Sequence, residues 1–162
     1  PSTLRGFSDA SWEERNSASG RAVLWQEAVI SWGSSKQHCV ALSSCEAEII
    51  ALSEVAKDMV YFRKLVDGLE PGAISGPSDA ATDNKGARDL AYNPEHHEKT
   101  KHVARRHFYV RDMVESFELR VPLVGTADNL ADFFTKPLSA KQFFSLRAKL
   151  MNEKPRAVRA QA

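Results

Sequence analysis

Asp9, Glu46, Asp83 and Asp132 are carboxylates from four separate stretches of the chain, at spacings of 37, 37 and 49 residues, each beside an apolar run. At strand ends and on helix faces, acids so spaced can converge on one point of a mixed sheet. Clustered carboxylates repel one another, and a divalent cation relieves the repulsion. An all-oxygen donor set selects a hard cation, Mg²⁺ or Mn²⁺, over zinc. Two such ions about 3.5–4 Å apart activate a water and stabilise the leaving oxygen of a phosphodiester. The four acids point to that chemistry.

The elements that must carry them follow from local pattern. Glu46 lies in ALSSCEAEIIAL (Ala41–Leu52), where Ser43 and Ser44 are helix-starting residues. Ile49, Leu52, Ala56, Met59, Arg63 and Val66 then recur at helical spacing, predicting a long helix to about Gly68. Glu46 is in phase with Ile49, Ile50 and Ser53, so its carboxylate points toward the buried face. Glu48, two residues on, faces another side and reads as a solvated surface acid. Asp9 follows a short strand from Leu4 to Ser8, and Asp83 ends a strand from Asp79. Asp132 falls in a helix predicted over Ala127–Lys136 with Thr126 as its N-cap. Asp128, one turn earlier, is the alternative acid there, although it could simply favour the helix N-terminus through the dipole.

The remaining segments complete a sheet. Gly20–Gln26 and Ala28–Gly33, parted only by Glu27, read as a hairpin. Gly68–Ser78 is a loop, Lys85–Ala91 a short helix and His102–Ser116 a longer one. Leu119–Val124 reads as a strand that Pro122 confines to an edge. Ser139-x-x-Gln142 is a capping-box pattern opening a helix to about Met151. The expectation is an α/β fold over residues 1–151, with a five-stranded mixed sheet, three antiparallel strands then two parallel, flanked by helices. Residues 152–162 read as a polar, disordered tail.

At 162 residues and 18.0 kDa, with 43% hydrophobic and 27% charged residues, the chain has the make-up of one globular domain. No apolar run approaches the roughly 20 residues of a membrane span, so no membrane partner is expected. The N-terminus lacks both a signal-peptide layout and an initiator Met, and reads as a piece of a longer chain. Cys39 and Cys45 are too few for a disulfide framework. The net charge of +1 hides an asymmetry: 9 basic and 15 acidic groups in residues 1–98, against 13 and 6 in residues 99–162. An acidic part beside a basic part suits a metal site acting on a polyanion. His96, His97 and His102 invite a zinc reading, but Lys99, Lys101, Arg105 and Arg106 would repel a cation, and the cluster suits phosphate contacts better. His107 falls on an apolar stripe and reads as a core histidine. Trp25 and Trp32 read as sheet packing, and Trp12 as a lining of a substrate groove.

FSDASW, SASG, ISWGSSKQ, ALSSCEAEIIALSE, TDNKGA, NPEHHEKTKH and NLADFFTKPL occur in this order between about Gly6 and Leu150. In these motifs the chain resembles the ribonuclease H domain that follows the reverse transcriptase in copia-type retrotransposon polyproteins. The resemblance implies an endonuclease, dependent on two Mg²⁺ (or Mn²⁺) ions, that cuts the RNA strand of an RNA–DNA hybrid. By position it puts the catalytic and metal-binding set on Asp9, Glu46, Asp83 and Asp132, and it favours Asp132 over Asp128 through LADFFTK. Candidate nucleic-acid contacts are Ser11, Trp12, Ser43, Ser44, Asn84, Lys85, Lys101, His102 and Arg105. The implied partners are the hybrid and the reverse transcriptase of the same polyprotein, in a cytoplasmic virus-like particle. Related cellular and retroviral enzymes carry a loop histidine before the last acid; Gly125–Leu130 has none. The competing class is a catalytically weak or inactive nucleic-acid-binding or scaffolding module.

Overall fold

The computed structural model describes residues 3–13, 16–93 and 104–153. Strand β1 spans Leu4–Ser11, β2 Ala18–Trp25 and β3 Ala28–Lys36. Gln26 and Glu27 make the turn between β2 and β3, both at positive φ, 49° and 68°. Two such residues match the twist of the flanking strands in a two-residue hairpin. β1 pairs antiparallel with β2 from Leu4↔Trp25 to Ser11↔Ala18. Asp9 therefore sits inside the strand, opposite Gly20, rather than beyond the end of a shorter one.

Helix α1, Ser44–Leu69, packs on β1 and β2 and leads to β4, Ser78–Thr82, which lies parallel to β1 with Ser8 beside Thr82. Helix α2, Lys85–Tyr92, and helix α3, Ala104–Glu115, precede β5, which is only Leu119–Arg120. Pro122 cannot donate to a ladder, and beyond it pairing shrinks to an isolated bridge, Thr82↔Leu123. The sheet order is β3-β2-β1-β4-β5, antiparallel on one side of β1 and parallel on the other. This is the expected fold class.

The helix predicted over Ala127–Lys136 is instead two 3-10 turns, Thr126–Asp128 and Leu130–Phe134. Thr126 caps neither. Asn129, wholly buried, donates from Nδ2 to the Ser8 carbonyl (2.9 Å), while its Oδ1 accepts from the Ala131 N–H (3.2 Å). Its side chain thus caps the second turn and bolts it to β1, and the backbone tightens on either side of that anchor. Helix α4, Ala140–Leu150, begins as expected at Ser139, whose Oγ accepts from the Gln142 N–H (3.3 Å).

One face of the sheet is covered by α1, with Leu52, Val55, Ala56 and Met59 packed among Leu4, Val23, Ala80 and Leu119. On a second cluster Phe7, Ala22, Leu24 and Ala81 meet Leu130, Ala131 and Leu146. Each large side chain so buried contributes about 1.5–3 kcal/mol. Gly6 lets α1 lie close, since a Cβ there would come within 2.3 Å of Met59 Sδ. His107 is a buried core residue, its Nε2 2.6 Å from the Leu90 carbonyl oxygen. Trp25 packs against the core as expected, but Trp32 does not: it stands 64% exposed on the edge strand β3. An edge strand has a neighbour on one side only, and the ring keeps most of its surface in solvent.

Candidate metal centre

The parallel register of β1 and β4 sets Ser8 beside Thr82, so the next residues, Asp9 within β1 and Asp83 just past the end of β4, lie side by side. The Asn129 bolt holds the turn that carries Asp132 against the same stretch of β1. Gly20 makes room for it: a Cβ there would lie 2.7 Å from the Ala131 carbonyl oxygen and 2.6 Å from Thr135 Cγ2. Asp9, Asp83 and Asp132 consequently each offer a carboxylate oxygen within 4.8 Å of the others. Asp9 and Asp132 are buried and Asp83 is half-buried, so the mouth of the cluster is on the Asp83 side.

Glu46 does not join them. Its carboxylate accepts from the Leu42 N–H, and its own N–H donates to Ser43 Oγ (3.2 Å), a reciprocal cap that closes the start of α1. Glu48 is the acid that α1 turns toward the cluster, which corrects its reading as a solvated surface residue. It is buried, accepts from the Ala10 N–H, and feels the charges of Asp9 and Asp83. Burial first, then Asp9 and Asp83, push its pKa up to about 8. Burial likewise pushes Asp132 up to about 6, with Asp9 and Asp83 adding to it and Lys136 opposing. Asp128, the alternative to Asp132, is exposed and paired with Lys149 at 2.5 Å.

Two residues on the site were not singled out from the sequence. The Thr135 hydroxyl donates to Asp9 Oδ2. Lys136 Nζ lies 3.0 Å from Asp132 Oδ1 and 3.7 Å from Asp9 Oδ2. Burial works against its charge, but the bond to Asp132 and the charges of Asp9, Asp132 and Asp83 outweigh it and hold its pKa above the ordinary lysine value. The signal available was position: Lys136 lies four residues after Asp132.

The donor set fits a divalent cation. Neither buried oxygen of Asp132 receives a hydrogen bond of ordinary geometry, and Glu48 Oε2 receives none. Buried carboxylate oxygens left this way are costly unless a cation meets them. Oxygen ligands alone suit a hard ion.

Among the expected nucleic-acid contacts, Trp12 is half exposed and pinned by a hydrogen bond from Nε1 to the Ala41 carbonyl (3.1 Å). Ser43 is the N-cap of α1, and Asn84 the N-cap of α2, with Oδ1 accepting from the Ala87 N–H (2.9 Å). Ser44, Lys85 and Arg105 are exposed, and Ser11 is half-buried at the end of β1. Lys101 and His102 lie outside the described residues, as do His96, His97 and Lys99 of the zinc reading. A groove of about 1250 Å³ runs elsewhere, between α4 and β1–β2; its rim charges pair as Arg5–Glu27, Lys149–Asp128 and Arg147–Glu153. No described helix is long and apolar enough to cross a membrane.

No protein-family model matches the chain. It is 34% identical over 144 residues to the retrovirus-related Pol polyprotein from transposon TNT 1-94 of Nicotiana tabacum, an alignment covering 86% of this chain. The chain spans about a tenth of that polyprotein's length, 11%. Among solved structures it is similar to an N-terminal RNase H domain from Mycobacterium tuberculosis, with a TM-score of 0.60 and 14% identity over 91% of this chain and 97% of that one. It is also similar to LC11-RNase H1 in complex with an RNA/DNA hybrid, with a TM-score of 0.59 and 10% identity over 82% of this chain and 94% of that one.

Proposed function

The chain belongs to the family of retrotransposon Pol polyproteins, as a segment with the ribonuclease H-like fold, and from that premise we propose that it is a metal-dependent endonuclease cutting the RNA strand of RNA–DNA hybrids. One observation carries the reading: Asp9, Asp83 and Asp132, from three separate elements, bring carboxylate oxygens within 4.8 Å of one another. Three carboxylates against the single ammonium of Lys136 leave an excess of negative charge that a divalent cation would neutralise.

The residues that would hold the metal are Asp9, Asp83 and Asp132, with Glu48 in place of the expected Glu46. Two Mg²⁺ ions would fit the reaction, with Mn²⁺ as a substitute. A divalent cation there supplies Lewis-acid stabilisation of the phosphate charge and an activated water for in-line hydrolysis. The protein's own groups do the rest. The Thr135 hydroxyl fixes the rotamer of Asp9 by donating to Oδ2. Asn129 and Gly20 hold Asp132 against β1. Glu46 shapes the Ala41–Ser43 loop beside Trp12, whose exposed ring can lie along a nucleic-acid groove. RNA is told from DNA by its 2′-hydroxyl, for which Ser43, Ser44 and Asn84 are candidate contacts. The partner in the polyprotein would be its reverse transcriptase, working on the element's RNA in a cytoplasmic particle.

The test offers three labelled duplexes (hybrid, DNA and RNA), and the hybrid again with EDTA, to the chain and to Asp9→Asn. Cleavage of the RNA strand of the hybrid alone, lost with EDTA and in the variant, is the expected result. Cleavage of duplex DNA at a similar rate, or cleavage that survives Asp9→Asn, overturns the reading.

A further inference from the structure

Asp9 and Asp132 are 2% and 0% exposed, so neither carboxylate meets solvent directly. The group spanning them is the Lys136 ammonium, 3.0 Å from one and 3.7 Å from the other, on a side chain that is itself 39% exposed. A single charge bridges two buried acids there while its stem reaches out to water. A divalent cation and the ammonium cannot occupy this place together, since like charges a few ångströms apart repel strongly.

We propose that Lys136 is the resident counter-cation of the acid cluster, displaced when a divalent ion binds, and that the displaced ammonium then pairs with a phosphate of the nucleic acid. The inference rests on the metal-site reading above. The position and chemistry of the side chain support the exchange. Lysine is a point charge on a flexible four-carbon stem, so it swings between two partners at little cost. It is the only cation among the described residues within ion-pair distance of Asp9 or Asp132. Its head lies at the acids where a scissile phosphate would have to sit, so a phosphate held there is within its reach. Lys136 would thereby keep the acids together in the metal-free protein and make loading of metal and of substrate support one another. It is a positioning residue in the first state and a phosphate contact in the second.

Calorimetric titration of Mg²⁺ and Mn²⁺ into the nucleic-acid-free chain tests the first half, comparing wild type with Lys136→Met and Lys136→Arg. The expected result is metal binding at least about tenfold tighter in Lys136→Met. Lys136→Arg keeps the charge and should stay near wild type. A melting scan with and without Mg²⁺ confirms that each variant folds, and the rise in Tm on adding Mg²⁺ should be larger in Lys136→Met. Anisotropy with a labelled hybrid tests the second half, with Ca²⁺ replacing Mg²⁺ and the strands checked for integrity. Lys136→Met should bind more weakly and lower the salt slope of log K by about one. Unchanged or weaker metal affinity in Lys136→Met overturns the counter-cation role while leaving the metal site standing. Tighter metal binding with an unchanged salt slope overturns the phosphate contact. If neither wild type nor Lys136→Met binds either metal, the metal-site reading fails and this inference falls with it.

Discussion

Glu48 holds its proton into the neutral range because burial, and then the charges of Asp9 and Asp83, disfavour its carboxylate. In the metal-free protein the folded state keeps a proton that the unfolded chain releases above about 4.5. Stability must therefore fall as pH rises from about 4.5 through about 8, by about 1.4 kcal/mol per unit at the steepest. Asp132, raised to about 6, adds a loss of the same sign in the lower part of that window. Melting temperatures measured in EDTA are expected to drop across this range. Glu48→Gln should flatten the drop above about pH 6, and added Mg²⁺ should offset it. An unchanged profile in Glu48→Gln would show that the group does not titrate there. The sequence led to Glu46 rather than Glu48 for a physical reason. A phase count assumes one buried face, but every residue of α1 from Glu46 to Ser53 is buried, between the sheet on one side and a second cluster that brings Ala41, Ala87 and Leu90 against Ala47, Ile49 and Ile50. Periodicity cannot choose between two acids when both sides of the helix are covered.

At the scale of elements, the sheet order, α1 and the capping of α4 were legible because hydrophobic period, turn residues and caps agree there. The segment carrying Asp132 was not, since its conformation is set by a long-range bond: Asn129 to the Ser8 carbonyl, 121 positions away. Trp32 was misread because strand pattern does not reveal which strand becomes an edge. The two fixings of the Asp132 turn can be tested separately. Asn129→Ala leaves the Ser8 carbonyl and the Ala131 N–H unpaired in a buried place, and should cost about 1–3 kcal/mol in chemical denaturation. Gly20→Ala forces a methyl against the Ala131 carbonyl and should cost about 1–3 kcal/mol. Because that push falls on the turn bearing Asp132, it should also weaken Mg²⁺ binding in calorimetry. Loss of stability without loss of metal affinity would mean that the turn moves independently of the acid.

For the molecule as a whole, the charge asymmetry of the sequence reappears as a division of labour. The acids of the cluster come from the acidic first part and from Asp132, and the bridging cation Lys136 comes from the basic last part. A net charge of +1 gives little attraction at a distance. Hybrid binding should therefore depend on a few local contacts and weaken steeply with salt, by about 0.9 in log K per log salt for each phosphate neutralised. Arg105 is exposed on α3. Arg105→Ala is expected to lower the salt slope by about one while leaving the cutting rate of saturated enzyme unchanged, read by anisotropy and single-turnover cleavage. An unaltered slope would remove Arg105 from the interface.

In the reaction proposed, the acids gathered around Asp9 would perform the chemistry, with Glu48 rather than Glu46 as the member from α1. Single-turnover cleavage of the RNA strand of a hybrid in Mg²⁺, by wild type, Glu48→Gln and Glu46→Gln, tests it most directly. Glu46→Gln should keep most of the rate, at a stability cost of about 1 kcal/mol for the weakened cap, and Glu48→Gln should lose at least about a hundredfold. Full cleavage by Glu48→Gln together with none by Glu46→Gln would contradict it.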